Sequence, residues 1–261
     1  MKSIQSKTVV FITGAFVSHN GWQEWQKYFE SKGYKTLAPA WPHKDASAKA
    51  LREMHPNNTG LADLTLTELV NHYAAIVKQL PEKPILVGHS LGGLVSQILL
   101  NRGLAEAAAV LHPVPPQGII PYEFSFLKSA FGALGLFTSL KKTYLMPFKT
   151  WQYAFTNGMS LDDQQAAYEA NTIPESKRVA RGGLTSAAKV DFKKPHNPLL
   201  IISGSTDNII PASLNYRNFK RYKQNGSVTE YKEFKGKNHF VVGLPTWREE
   251  ADYILDWINR Q

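Results

Sequence analysis

Ser90 is the residue of this chain whose surroundings point most clearly to chemistry. It lies at the centre of a Gly-x-Ser-x-Gly sequence over residues 88–92, after an apolar run and before apolar residues at helical spacing. In a strand–turn–helix context, such a sequence forms a tight turn that exposes the serine hydroxyl. Because the glycines lack side chains, the strand and the helix can approach closely there. The pattern predicts a nucleophilic serine, although the pentapeptide without its flanking elements is common by chance.

A serine hydroxyl is a weak nucleophile near neutral pH, so it needs a base and a carboxylate that orients the base. Asp207 lies in a loop just after the predicted strand 199–203, on the sheet edge where Ser90 is expected. The loop after the preceding strand contains no carboxylate. We therefore predict Asp207 as the acid. The alternative is an aspartate that forms a turn and caps the next helix.

His239 is the predicted base among the eight histidines. It lies after the last predicted strand and before the last predicted helix, which gives the chain order serine, aspartate, histidine. A lone histidine is usually structural, but this position and order favour a catalytic role. His89 precedes Ser90 directly and is predicted to be a structural neighbour, because a general base approaches the hydroxyl from across the site.

Attack on a carbonyl group creates an oxyanion, which backbone N–H groups stabilise. One donor is predicted to be the amide of Leu91, the residue after the nucleophile. The other is expected from the loop after the first strand, where Gly14 lets the backbone approach a substrate. In that loop Ala15 is the preferred donor and Phe16 is the alternative.

These residues need a scaffold that brings the ends of several strands together. Apolar runs alternate with amphipathic stretches along the chain. This alternation predicts an α/β fold with a mostly parallel central sheet and helices on both faces. The predicted strands span residues 8–12, 34–38, 85–87, 107–111, 199–203 and 229–234. The clearest predicted helices span residues 21–32, 66–80, 91–102 and 247–259.

Residues 115–188 interrupt this alternation, since they contain several helical patterns and no convincing core strand. We predict a core domain formed by residues 1–114 and 189–261, with a helical cap or lid inserted at 115–188. The cap is expected to cover Ser90.

Aromatic residues are concentrated in this insertion, where ten of the chain's thirty lie between Tyr122 and Phe155. Some of them would form the insertion's own small core, but a unit of this size does not bury ten rings within itself. The others are predicted to line an apolar pocket above Ser90. The candidate pocket residues are Phe16, His112, Phe131, Phe148, Trp151, Phe155 and Phe240.

Composition excludes several classes of site. The 261 residues are 43% hydrophobic and 20% charged, which is ordinary for a globular protein and argues against disorder. There is no cysteine, so disulfides, thiolate nucleophiles and zinc–thiolate sites are excluded. Histidines and carboxylates at metal-ligand spacing are absent, and the glycines around Ser90 do not match a dinucleotide- or phosphate-binding loop. We expect no metal and no organic cofactor.

The net charge of +9 raises the question of an anionic partner. The basic residues are scattered apart from one local group, so we expect a solvated helix face and no nucleic-acid binding. That group comprises Arg217, Lys220, Arg221 and Lys223. No run is long and apolar enough to span a membrane, and we expect a cytoplasmic protein. The sequence gives no indication of the oligomeric state.

With Ser90, Asp207 and His239 placed, the chain resembles the α/β-hydrolase superfamily, in particular small bacterial serine hydrolases with a helical cap. The resemblance extends from Thr8 to the last predicted helix. Many members have His-Gly where this chain has Thr13 and Gly14, which is a departure in the oxyanion loop. Serine at position 90 excludes the relatives that use an aspartate nucleophile, the haloalkane dehalogenases and epoxide hydrolases.

The resemblance implies a carboxylesterase-type hydrolase that cleaves an ester or lactone of a small to medium apolar substrate through an acyl-enzyme. The same three residues could instead serve a carbon–carbon bond hydrolase, an acyltransferase or a lyase. A member of the fold that binds a ligand without catalysis is a further alternative.

Overall fold

A single parallel sheet of six strands forms the centre of the protein, whose computed structural model describes residues 3–222 and 226–261. The strand order is β2-β1-β3-β4-β5-β6, and every neighbouring pair is parallel. Lys223 of the predicted basic group lies outside the described residues. The strands are β1 (Thr8–Ile12), β2 (Lys35–Leu37), β3 (Ile85–His89), β4 (Ala107–Leu111), β5 (Leu199–Gly204) and β6 (Thr229–Phe234).

Helices connect the strands, because a parallel pair needs a crossover that returns the chain to the same end of the sheet. The helices are α1 (Gln23–Ser31), α2 (Ala48–Glu53), α3 (Thr59–Asp63), α4 (Leu66–Lys78), α5 (Leu91–Asn101), α6 (Phe124–Leu134), α7 (Phe148–Ala154), α8 (Leu161–Asn171), α9 (Lys177–Gly182), α10 (Ala212–Arg221) and α11 (Arg248–Arg260). None of the helices in the described ranges is both long and apolar enough to cross a lipid bilayer.

Alternate residues of each strand enter two apolar cores, one on each face of the sheet. Val10 and Ile12 of β1 face the core in which α4 and α5 pack. Val9 and Phe11 face the opposite core, which α1 and α11 cover. The predicted α/β class with helices on both faces is therefore confirmed. The predicted strand 34–38 is shorter in the structure, where β2 lies at one edge of the sheet and pairs only with β1.

The chain between β4 and β5 contains α6 to α9, and residues 115–188 are called the helical segment below. Two isolated antiparallel bridges link non-strand residues, joining Val17 to Thr172 and Tyr144 to Glu175. The first bridge, with a hydrogen bond from the Ile173 amide to the Phe16 carbonyl at 3.0 Å, attaches the segment to the loop after β1. The helical segment therefore lies against the end of the sheet at which β1 finishes.

Candidate active site

Five neighbouring strands supply the residues of the site from their carboxyl ends. Ala15 follows β1, Ser90 follows β3, His112 follows β4, Asp207 follows β5 and His239 follows β6. In parallel sheets, the carboxyl ends of the strands share one edge, which is where such folds bind ligands.

Ser90 occupies a strained turn between β3 and α5. Its φ of 55° and ψ of −119° lie outside the regions that residues with side chains favour. The backbone of its neighbours holds this conformation. The Ser90 amide donates to the Leu111 carbonyl at 2.9 Å, and the Ser90 carbonyl accepts from the amides of Gly93 at 2.9 Å and Val114 at 3.0 Å.

Two glycines allow the turn to pack against the sheet. A methyl group at Gly92 would overlap the backbone carbonyl of Ile12 in β1. A methyl group at Gly88 would overlap the side chain of Ser96 and the carbonyl of Gly92. The Gly-x-Ser-x-Gly spacing is thus required by the close contact of β1, β3 and α5.

The three predicted catalytic residues form one hydrogen-bonded relay. His239 Nε2 lies 2.9 Å from Ser90 Oγ, and His239 Nδ1 lies 2.6 Å from Asp207 Oδ2. All three side chains are buried. Because an ionised carboxylate only accepts, the Nδ1–H of His239 donates to Asp207 and leaves Nε2 to accept from the serine hydroxyl. The imidazole is therefore oriented to take up the hydroxyl proton.

Asp207 is held by four hydrogen bonds. Its Oδ1 accepts from the amides of Ile209 and Ile210, each at 2.8 Å. Its Oδ2 accepts from His239 and also from His112 Nδ1, at 2.7 Å. Burial would raise the pKa of Asp207, but its interactions with the two histidines outweigh burial and hold the pKa below the ordinary value. The acid consequently stays ionised in the buried site.

His89 supports the backbone of the base, in keeping with its prediction as a structural neighbour. Its Nε2 lies 2.9 Å from the carbonyl oxygen of His239. Burial lowers the pKa of His89 well below the ordinary value, and the neighbouring His239 and His112 lower it further. A neutral His89 donates its Nε2–H to that carbonyl.

The candidate oxyanion donors differ in whether their amides are free. Ala15 and Leu91 line the same cavity as Ser90. Within the described ranges, neither amide donates to a protein acceptor. The alternative donor, the Phe16 amide, instead donates to Glu175 Oε2 at 3.2 Å. The geometry leaves Ala15 and Leu91 as the pair available to a substrate oxygen.

Glu175 belongs to a buried ion pair that sequence reasoning missed. Lys44 Nζ lies 2.6 Å from Glu175 Oε2, and both side chains are almost fully buried. Burial lowers the pKa of Lys44, and the charge of Glu175 opposes this. The Lys44 ammonium also lies 3.8 Å from the ring centroid of Trp41, whose indole N–H donates to the Thr13 carbonyl at 3.1 Å. The network therefore holds the loop after β1, through the Phe16 amide and the Thr13 carbonyl.

An apolar cavity of about 310 Å³ lies above Ser90. Among the described residues, no ionisable side chain lines it. The predicted pocket residues Phe16 and Phe155 do line it, and the Phe155 ring lies edge-on to His239 at a centroid distance of 4.9 Å. Further walls come from residues that the sequence analysis did not select, among them Pro116, Ile119, Phe126, Ala133, Leu134 and Leu184.

The other predicted pocket residues lie elsewhere. Phe131 is 61% exposed, because α6 turns Ala130, Ala133 and Leu134 toward the cavity and Phe131 away from it. His112 is fully buried beside Asp207. Three aromatic residues pack in the apolar cluster behind Phe155 without lining the cavity: Phe148, Trp151 and Phe240. Small residues three and four positions apart on α6 could have indicated which face of this helix lines the cavity.

His112, Asp207 and His239 also present ligand atoms within 4.8 Å of one another, the one such group in the described part of the chain. Metal binding through a histidine requires an unprotonated nitrogen. Here the nitrogens that face the carboxylate are the two Nδ1 atoms, which donate their protons to it. The arrangement suits a hydrogen-bonded relay better than a cation site.

A sequence model of the alpha/beta hydrolase family matches residues 9–251. A search of curated proteins gives no match. Similar solved structures include an extracellular α/β-hydrolase from a Paenibacillus species, with 19% identity, 97% of this chain and 99% of that chain covered, and a TM-score of 0.69.

A monoacylglycerol lipase from Paleococcus ferrophilus is similar at 19% identity, with 100% of this chain and 97% of that chain covered and a TM-score of 0.67. An Arabidopsis methylesterase is similar at 17% identity, with 97% of this chain and 99% of that chain covered and a TM-score of 0.65. At these identities the structural similarities show the fold.

Proposed function

Because the chain belongs to the alpha/beta hydrolase family, we propose that it is a serine hydrolase that cleaves a carboxylic ester or lactone through an acyl-enzyme on Ser90. The observation that supports this most strongly is the relay from Ser90 Oγ to His239 at 2.9 Å and from His239 to Asp207 at 2.6 Å. The relay ends at an apolar cavity that Ser90 lines, and Ser90 is the nucleophile in this proposal.

In the first half of the reaction, His239 Nε2 accepts the hydroxyl proton as Ser90 Oγ attacks the carbonyl carbon. The negative charge that develops on the carbonyl oxygen is stabilised by the amides of Ala15 and Leu91. Asp207 stabilises the imidazolium and keeps its own charge. His239 then donates the proton to the leaving alkoxide, which departs as an alcohol and leaves the acyl group on Ser90.

In the second half, water attacks the acyl carbon and gives its proton to His239. Collapse of the second tetrahedral intermediate breaks the bond to Ser90 Oγ, which regains a proton from His239. The products are a carboxylic acid and a free enzyme. With a lactone, the alcohol and the acid are two ends of the same product.

The cavity favours a small to medium, uncharged, apolar substrate. Its volume of about 310 Å³ is at the lower end of the range for ligand pockets. A charged acyl group would find no compensating ionisable side chain in the described lining. The helical segment serves as the cap in this proposal, since Ala133, Leu134 and Leu184 form much of the wall above Ser90.

The test is turnover of p-nitrophenyl butyrate and hexanoate and of an alkyl lactone. The wild-type protein is expected to hydrolyse at least one of them, and Ser90→Ala is expected to lower kcat/KM by about 10⁴-fold or more with an unchanged Tm. Ser96→Ala is the matched control, because Ser96 is a buried serine on α5 whose Oγ donates to the Gly92 carbonyl at 2.8 Å. It should keep wild-type turnover.

Full activity of Ser90→Ala would refute the proposal. A wild-type protein that reacts with a fluorophosphonate at Ser90 but turns over no ester or lactone would also refute it, in favour of carbon–carbon cleavage, acyl transfer or elimination by the same relay. A cytoplasmic location and the absence of a nucleic-acid partner stay predictions.

A further inference from the structure

His112 is a second histidine on the catalytic carboxylate. Its Nδ1 lies 2.7 Å from Asp207 Oδ2, the same oxygen that His239 Nδ1 approaches at 2.6 Å. The side chain is fully buried, and its backbone has a φ of 47°, which is unusual for a residue with a side chain. Strain of this kind persists only where the surrounding structure holds it in place.

The hydrogen-bonding pattern assigns the tautomer of His112. An ionised carboxylate oxygen only accepts, so both Nδ1 atoms that face Asp207 Oδ2 carry protons. His112 Nε2 has no hydrogen-bond partner in the described part of the chain. A buried N–H without an acceptor is costly, and a charged imidazolium there costs more. The hydrogen-bonding pattern therefore places a proton on His112 Nδ1 and leaves Nε2 unprotonated.

Few other titratable groups face this carboxylate. His89 approaches from the end of β3, and its ring centroid lies 6.4 Å from that of His112 and 4.8 Å from that of His239. Lys237 precedes His239 by two residues, but its ammonium turns away to Glu249 at 3.1 Å and Glu250 at 3.5 Å. The carboxylate of Asp207 consequently has two imidazole donors, and both bind the same oxygen.

We propose that His112 is a positioning residue that sets the proton affinity of His239 by sharing the Oδ2 oxygen of Asp207. A carboxylate oxygen that already accepts one hydrogen bond is a weaker acceptor for a second one. The imidazolium form of His239 is thus less stabilised than it would be beside an unshared aspartate. The base then remains free to accept the serine proton at a lower pH.

The first test is the pH dependence of Ser90 labelling by a fluorophosphonate. This test rests on the proposed function, because it requires a reactive Ser90. His112→Leu removes the donor and keeps an apolar group of similar size. The midpoint of the acid limb of the labelling rate is expected to move to higher pH, by about half to one unit. His112→Asn is the conservative variant, because its amide N–H can replace Nδ1–H and asparagine tolerates positive φ. It should restore the wild-type midpoint.

His72→Leu serves as the control, since His72 lies on α4 and makes a hydrogen bond to the carbonyl of Ala40 and not to Asp207. Its midpoint should equal that of the wild type. An unchanged midpoint in folded His112→Leu, or an equal shift in His112→Leu and His112→Asn, would overturn the inference. Wild-type protein that the fluorophosphonate does not label would refute the proposed function instead.

The second measurement requires neither activity nor a variant. In wild-type protein with ¹⁵N-labelled histidine, the nitrogen chemical shifts of His112 are expected to show a protonated Nδ1 and an unprotonated Nε2, with a strongly deshielded Nδ1 proton. A His112 that is protonated on Nε2, or doubly protonated at neutral pH, would overturn the inference even if His112→Leu failed to fold.

Discussion

The turn around Ser90 and the helical segment enclose one cavity from opposite sides, but they are held in different ways. Backbone hydrogen bonds to Leu111, Gly93 and Val114 hold the turn, and glycines permit its close packing. The helical segment is held to the rest of the protein by the short backbone bridge between Val17 and Thr172 and by side chains such as Glu175, which pairs with Lys44. Within the segment, Arg181 donates to the carbonyls of Leu134 and Gly135. We infer that the turn tolerates little change, whereas the segment can vary its exposed residues without disturbing the relay.

Two buried acids show the same contrast. Glu175 in the helical segment has Lys44, the Phe16 amide and its neighbour's amide as partners. Glu250 on α11 is fully buried, and its oxygens lack hydrogen-bond partners in the described part of the chain, although Lys237 Nζ lies 3.5 Å away. Burial raises the pKa of Glu250 to about 7, and the attraction of Lys237 only partly opposes it. The charge of Glu175 is therefore well compensated inside the protein, whereas the charge of Glu250 is poorly compensated.

The largest effect is expected at the turn. Gly92→Ala would place a methyl group on the Ile12 carbonyl, where neither backbone can yield. Because backbone atoms would have to move, we expect a loss of about 5 kcal/mol or more in the free energy of unfolding, above the usual cost of overpacking, measured by urea denaturation. Gly21→Ala is the matched control, because a methyl group there meets nothing within 4 Å. Equal stability of the two variants would show that the turn around Ser90 does not require glycine at position 92.

The helical segment should show a large effect only at its inner side. Trp151 is fully buried and stacks on Phe155 at a centroid distance of 4.3 Å. Trp151→Ala is expected to lower the free energy of unfolding by about 3–5 kcal/mol. Phe131→Ala, at an exposed side chain, should change it by no more than about 0.5 kcal/mol. Thermal or urea unfolding of both variants measures the difference, and a costly Phe131→Ala would show that the exposed face of α6 is packed.

The free energy of unfolding should fall when one partner of the Lys44–Glu175 ion pair is replaced, and much less when both are replaced. Glu175→Gln leaves Lys44 buried without a counter-charge, so a loss of about 3 kcal/mol in the free energy of unfolding is expected. The double variant Lys44→Met with Glu175→Gln should recover most of it, because it removes the unpaired charge and keeps an amide oxygen that can accept from the Phe16 amide. Urea denaturation of the single and double variants is the measurement. Additive losses in the double variant would contradict the coupling of the two side chains.

Glu250 gives the smallest of these effects, visible as a pH dependence. Its folded pKa of about 7 lies above the ordinary value of 4.5, so the folded state binds more protons between these values. The contribution of Glu250 to the free energy of unfolding is therefore greatest below pH 4.5 and falls as the pH rises to about 7. Above that pH it no longer changes. The fall should be about 2–3 kcal/mol. Glu250→Gln should lack it, as measured by unfolding at pH 5 and pH 8; an identical pH dependence in both proteins would contradict this.

Much of the fold was predictable, because it depends on local patterns. All six strands were predicted near their observed positions; β1, β3, β4 and β5 are apolar runs, whereas the edge strands β2 and β6 are not. The resemblance to α/β-hydrolases is confirmed by the family match over residues 9–251. Ser90, Asp207 and His239 could be selected from chain order and from their positions after predicted strands. In the structure these three side chains lie within hydrogen-bonding distance.

The rest depends on contacts that no local pattern encodes. Lys44 and Glu175 are 131 positions apart, and nothing in either neighbourhood indicates the other. His112 was selected for the pocket because it ends a strand, but the reach of its ring to Asp207 depends on a positive φ. Some aromatic residues of the insertion were expected to line the pocket, yet Phe131 faces outward and the smaller Ala130 and Ala133 face the cavity.

The most direct test of the relay is to stop the reaction with a p-nitrophenyl ester in acid within milliseconds and to map the acyl group by peptide mass spectrometry. We expect one acyl group on the peptide that contains Ser90, formed as fast as p-nitrophenol is released, and none in Ser90→Ala. Ester turnover with the acyl group on another residue, or with Ser90→Ala as active as the wild type, would contradict it.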